Sequence, residues 1–436
     1  MRSQSVRKSM KVSLLSKTMG ALIQLIGLPI AAHHLGKLYG VYGPLASLML
    51  VVGTVNLGVG PGLSQRLSGL VLKDQEEEER QWFSNAFYLT LWALILILII
   101  GLVVALFVPI DRILGNDFVG YRSEGKAGLI AVVVLGCIQN LFSAFDGAYI
   151  GLLEDYKVRF YNAIGYGLSL LALVIVPFFP KSLPLMLFAV FGTAFLPKLI
   201  SSYRLMMVER PYLRPRWADF AKEKFSDLIS SNMAFTLCQM GDLGITSLGI
   251  ILVANLGGTE ASEKATNVIY YLTVLATVQT MITGSVWPAM SNAWRQGDIA
   301  WFKRVFRKAV LILLGAGTVF ALGLATVGEP VIGYIFKNRG PLDGATTAWM
   351  GVAVIITFIE MMLVSVFMSI GKLWDAAGAS LTRGLLGLVL AGFLYRAMGM
   401  PGFVIGIIVA RSLSLGWMWM RYQKHLSLAE TNQSVG

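Results

Sequence analysis

LPIAAHHLGKLYGVYGPLASLMLVVGTVNLGVGPGLSQRLSGL, residues 28–70, decides the fold, because the chain writes the same pattern twice. The second copy is LGIILVANLGG…VIYYLTVLATVQTMITGSVWPAMSNAWRQGD, within residues 248–298. In each copy an apolar run ends in His or Asn followed by Leu-Gly: His34-Leu35-Gly36 and Asn255-Leu256-Gly257. A second apolar run follows and ends in a small-residue and proline break, Gly58, Gly60, Pro61 and Gly62 in one copy, Gly284 and Pro288 in the other. A polar loop then leads to Trp82-Phe83 or Trp301-Phe302 and a third apolar run. A pattern repeated at this distance predicts two related halves, each a bundle of membrane helices.

Composition agrees. Of 436 residues, 56% are hydrophobic and only 14% charged, with a mean hydropathy of +0.68; soluble chains carry about 25% charged residues. Residues 92–108 and 310–327 contain no charge, and a run of about 20 apolar residues crosses a bilayer as a helix. The basic start (Arg2, Arg7, Lys8, Lys11) ahead of an apolar stretch resembles a signal peptide. That stretch is too long and contains Lys17 and Gln24, and its second copy lies mid-chain, so it reads as the first span. Cys137 and Cys238 both fall in apolar runs, with no Cys/His cluster, so neither a disulfide framework nor a metal site is expected.

Apolar runs against polar breaks predict an all-α integral membrane protein with about twelve spans: 13–33, 39–62, 84–108, 127–151, 160–179, 183–206, 227–255, 265–290, 308–327, 346–370, 377–395 and 402–421. With the N-terminus inside, twenty-three Lys and Arg fall on the cytoplasmic side and nine outside, which places both termini in the cytoplasm. Six spans precede the longest inner connection, so the halves enter in the same orientation. They are expected to be two six-helix lobes related by a pseudo-two-fold along the membrane normal. The lobes are expected at 1–207 and 227–422, with a linker at 208–226 and a cytoplasmic tail at 423–436. The net charge of +12 is largely the inner-face excess, suited to anionic headgroups rather than nucleic acid. Glu76–Glu79 reads as a solvated acidic helix start.

A charge inside a span costs about 2.5–3.5 kcal/mol on insertion scales and so faces a partner or a wet cavity. Ser13, Lys17, Gly20, Gln24 and Gly27 share one face of span one; Asn232, Thr236, Gln239, Asp242 and Thr246 share one face of span seven. Thr273, Thr277, Thr280 and Gly284 line span eight, where cavity lining and helix packing both explain them. Asp146, Glu360, Arg383 and Arg411 lie at depth in spans four, ten, eleven and twelve. Two readings stand. Either these groups pair internally, as Glu360 with Arg383, or Arg383 and Arg411 coordinate phosphate oxygens while Glu360 or Asp242 serves as a protonation or cation site. Lys17 either joins the substrate face or snorkels to the inner interface. The candidate substrate contacts are Arg411, Arg383, Lys17, Gln24, Asn232 and Gln239, and the candidate ion-coupling groups Asp242, Glu360 and Asp146. His33 and His34 read as interfacial, and Pro29, Pro61 and Pro288 as hinge candidates. There is no Walker A, HExxH, GxSxG or Asp-rich prenyltransferase motif and no cofactor signature.

Leu35-Gly36, Tyr39-Gly40, Tyr42, Asn56-Leu57-Gly58, Gly60 and Ser64-Gln65-Arg66, in the hairpin HHLGKLYGVYGPLASL…VNLGVGPGLSQRLSG, resemble the polysaccharide-transporter branch of the MOP exporter superfamily. Asn56 departs from the Asp-Leu-Gly of many relatives. The resemblance implies two lobes around a central cavity, of the MATE/MOP type, working by alternating access in the bacterial inner membrane. It implies an undecaprenyl-pyrophosphate-linked oligosaccharide as cargo, moved to the outer leaflet for O-antigen or exopolysaccharide synthesis. It also implies an ion or substrate gradient (proton or sodium) as driving force, and a polysaccharide polymerase and chain-length protein as partners. The alternatives are a multidrug or organic-cation antiporter of the same superfamily, and a membrane polymerase or ligase, disfavoured by the short outer loops.

Overall fold

The computed structural model describes residues 2–54, 58–70, 75–337 and 339–435. Asn56 and Leu57 lie outside the described residues, as do the side chains of Ser13, Asn232 and Pro288. Among the described residues there is no strand. Among the described residues, ten helical segments are long and apolar enough to cross a membrane. Two of them, of 39 and 45 residues, contain the Leu-Gly breaks of the repeat, so each has length for two crossings, compatible with the expected twelve. Hydrocarbon offers the backbone no partners, so each span satisfies its amides within its own helix.

The chain divides into two compact units, Met1–Thr236 and Leu237–Gly436. In the first, α1 (Arg2–Leu35) stops at Gly36, whose φ of +59° is left-handed, and a single 3-10 turn leads into α2 (Tyr39–Thr54). The second expected span is interrupted: α3 (Val59–Leu70) starts afresh after Gly58, with Pro61 in its first turn, where a missing N–H costs nothing. Then come α4 (Glu76–Phe107), the short α5 (Ile110–Leu114), α6 (Arg122–Leu141), α7 (Ser143–Gly151) and α8 (Asp155–Ile175). A Cβ on Gly147 would lie 2.8 Å from Cα of Gly60, and one on Gly151 3.0 Å from Cα of Ser64, so glycine sets how closely α7 rides on α3.

The sixth span is the least regular. It runs through α9 (Leu183–Leu187), a π turn (Phe188–Gly192), a 3-10 turn (Thr193–Phe195), α10 (Leu196–Arg204) and a second π turn (Leu205–Glu209). The expected separation of spans five and six at FFPKSLP holds, since α8 ends in a 3-10 turn (Val176–Phe178) and α9 begins at Leu183.

The expected linker at 208–226 is part of the first unit. Asp219 accepts from Arg80 Nε at 2.9 Å, Tyr212 donates to Glu79 Oε2 at 2.6 Å, and Asn85 binds both Asp219 O and the Ala221 amide, each at 2.9 Å. Glu79 is therefore buried rather than solvated.

The second unit begins within α11 (Lys222–Arg295), which is broken at Gly258 (φ +74°, ψ −161°), the counterpart of the break at Gly36. α12 (Ile299–Ile335) is capped by Asp298, which accepts from the Trp301 amide at 2.9 Å. α13 (Gly344–Ser369), α14 (Leu373–Met398) and α15 (Met400–Val435) complete it. The segment expected as a tail continues α15 as helix. His425 contacts Asp375 at 2.7 Å, and Glu430 pairs with Lys303.

Candidate functional site

The deep charges of the second unit meet in one cluster. Gly241 and Gly244 on α11 face Gly384 on α14, and a Cβ on Gly384 would lie 3.0 Å from Cα of Gly241. That close approach brings Asp242 and Arg383 together: Asp242 Oδ1 lies 2.7 Å from Arg383 Nη2. Glu360 on α13 bridges both guanidiniums, accepting from Arg383 Nη1 and Arg411 Nη1 at 2.5 Å each, one on either carboxylate oxygen. Arg411 Nη2 is 3.5 Å from Asp242 Oδ1. Two acids and two bases close a ring with no net charge.

Exposure divides the ring. Glu360 and Arg383 side chains are 0% and 1% exposed, Arg411 7%, and Asp242 44%. Of the two readings left open by the sequence, internal pairing describes this geometry, with more partners than the expected Glu360–Arg383 contact. A phosphate reaching Arg383 must first displace Asp242. Enclosed charges of this kind are tolerated only as a set: breaking a buried pair typically costs about 3–5 kcal/mol. The Nε of Arg383 is buried without a hydrogen bond.

The first unit holds a counterpart that the sequence reading did not pair. Asp146 on α7 takes Lys198 on α10 at 2.6 Å, with side chains 24% and 18% exposed. Asp146 and Lys198 belong to the fourth and sixth spans of their half; Glu360 and Arg411 belong to the fourth and sixth of theirs. The usable signal was an acid and a base on equivalent spans of both repeats. Lys198 follows the irregular backbone directly, where π turns often mark functional positions.

The remaining candidates scatter. Lys17 and Gln24 are exposed on α1. The glycines of their stripe are contact points with α8: Gly20 faces Tyr166 and Gly27 faces Leu173. Gln239 is half-buried one turn before Asp242. Thr246, Thr273, Thr277 and Thr280 donate to carbonyls three or four residues back in their own helix, at 2.7–3.0 Å, so their donors are already used. Cys137 and Cys238 are buried free thiols. Among the described residues no group of three His, Cys, Asp or Glu side chains is disposed to hold a metal.

No protein-family profile matches the chain, and no curated protein matches it in sequence. Solved structures do match. An inward-facing multidrug-resistance MATE family transporter of the MOP superfamily superposes with a TM-score of 0.77 at 14% identity, over 96% of this chain and 99% of that one. The fold is the MATE fold. A mutant Vibrio cholerae MATE transporter gives 0.71 at 15% identity over 98% of each chain. A MOP superfamily transporter from Pyrococcus furiosus, described as having a binding pocket of reversed polarity that suggests a different function, gives 0.69 at 15% identity, over 98% of this chain and 96% of that one. Each of these three neighbours is described as a transporter.

Proposed function

We propose that this chain is an exporter of the MOP superfamily that moves an anionic lipid-linked oligosaccharide, of the undecaprenyl-pyrophosphate type, from the inner to the outer leaflet of a bacterial cytoplasmic membrane by alternating access. The observation that carries this reading is the neutralised cluster. Both deep carboxylates of the second unit are held by guanidiniums, so Glu360 has no free charge for an organic cation. Lys17 adds an exposed cation on the first span. A pyrophosphate and its sugars cannot cross hydrocarbon without polar partners. In this account Asp242 is the ion-responsive group: neutralised by a proton or sodium ion, it releases Arg383 and Arg411 toward the anionic head. Asp146 and Lys198 act in the same manner in the first unit. Both termini are cytoplasmic, from the placement of Lys and Arg, and a polymerase and chain-length protein would take the product outside.

The second reading, a multidrug or organic-cation exporter, is favoured by the multidrug function named for a neighbour and by the half-exposed Asp242 carboxylate. Depletion of the protein in its host separates the two. Lipid-linked repeat units trapped on the inner leaflet support the flippase. An unchanged glycan with increased dye retention supports the drug exporter instead.

A further inference from the structure

The segment 210–222 of the first unit carries a surface that neither fold nor cargo accounts for. Its inner side is fastened to α4 through Arg80, Asn85 and Glu79. Its outer side presents Trp217, 57% exposed and stacked on Phe220 with ring centroids 5.3 Å apart and planes 8° from parallel. Arg214, Arg216 and Lys222 are exposed beside these rings. Among the described residues none of the three cations has an acidic partner, whereas neighbouring Arg80, Arg204 and Arg210 each have one.

Where the rings sit identifies what they meet. Trp217 packs edge-on against Tyr88 of α4, centroids 4.9 Å apart. From Tyr88 the same face of α4 continues through Trp92, Leu96, Ile99, Ile100 and Val103, all exposed and apolar, at the spacing of one helical face. That face is the lipid surface of the third span. Trp217 and Phe220 therefore stand at its cytoplasmic end, the headgroup level where aromatic rings collect.

We propose that this segment of the first unit is an anionic-lipid contact: Trp217 and Phe220 insert at the inner interface, and Arg214, Arg216 and Lys222 bind the phosphates of acidic headgroups. Each cation near such a surface adds to the attraction, and the rings fix the depth. An acidic soluble protein would satisfy the cations, but it would leave two stacked rings uncovered at the edge of the hydrocarbon. The proposal stands whichever cargo is carried.

The test uses the full chain in nanodiscs, with Ala218→Cys labelled by a small fluorophore; Cys137 and Cys238 are buried. Quenching by lipids bearing a shallow nitroxide is compared between phosphatidylcholine alone and the same lipid with about 30% phosphatidylglycerol. The expected result is quenching that rises about two-fold with phosphatidylglycerol and loses that rise in the triple variant Arg214→Gln, Arg216→Gln, Lys222→Gln. Hydrogen exchange over 211–221 confirms that the segment stays docked in the variant. No quenching places the segment in water and overturns the proposal. Quenching indifferent to phosphatidylglycerol, or to the triple substitution, overturns the headgroup recognition.

Discussion

Glu360 is the residue on which the second unit's charge balance turns. It is enclosed, and it holds both guanidiniums. Glu360→Gln leaves two buried cations facing one half-exposed carboxylate and should cost about 3–5 kcal/mol, read as a lowered thermal midpoint in detergent. Replacing Glu360 and Arg411 together by methionine should cost less than either single change, because no uncompensated charge remains. An additive double variant would contradict the shared pair. Asp242→Asn should behave differently. Its carboxylate is half in solvent, so screening limits the stability loss to about 1 kcal/mol, while transport falls at least about ten-fold, equivalent to roughly 1.4 kcal/mol. Wild-type transport from that variant would remove Asp242 from the mechanism. The sequence exposed these charges because ionisable residues within spans are costly wherever they fall. It offered one partner pair, Glu360 with Arg383, as one of two readings, and did not disclose that Arg411 and Asp242 join it: α11, α13, α14 and α15 meet at one point only through packing that no linear spacing records.

At the scale of elements, the breaks were legible and the faces were not. Leu35-Gly36 and the Gly257-Gly258 pair mark helix ends because a left-handed residue is cheapest as glycine. The polar stripe of α1 was ambiguous, since a glycine lines a cavity or admits a neighbouring ring equally well; Tyr166 and Leu173 decide it for Gly20 and Gly27. The threonines of the eighth span likewise spend their donors on their own helix. The linker was read from its position between the spans, which says nothing of what it packs against. Because Asn85 holds it at two backbone points, Asn85→Ala should cost about 1–3 kcal/mol locally, seen as faster hydrogen exchange over 217–221. In the connection between α4 and α6, the Arg122 hydrogen bond holds the Asp111 carboxyl below its ordinary value. The stabilisation is complete above the ordinary carboxylate pKa of about 4 and is lost as pH falls through the depressed one. Protection over 110–122, taken relative to the intrinsic exchange rate at each pH, should fall on acidification in the native chain and show no such step in Asp111→Asn.

For the whole molecule, the twice-written hairpin predicts two halves; the chain divides into two compact units, and as a whole it superposes on a MATE-fold structure. Cargo is a finer matter than fold, since proteins sharing this architecture at 14–15% identity carry different descriptions. It is decided by the charge a transported molecule meets, and here the enclosed charges cancel. The most direct measurement reconstitutes the purified chain in liposomes with a labelled undecaprenyl-pyrophosphate oligosaccharide and follows the fraction reachable by an external sugar-modifying enzyme. Transfer of the lipid-linked sugar between leaflets, abolished by Arg411→Ala in protein of unchanged yield, is the predicted result. Vesicles that move an organic cation while leaving the lipid-linked sugar in its original leaflet would contradict the account.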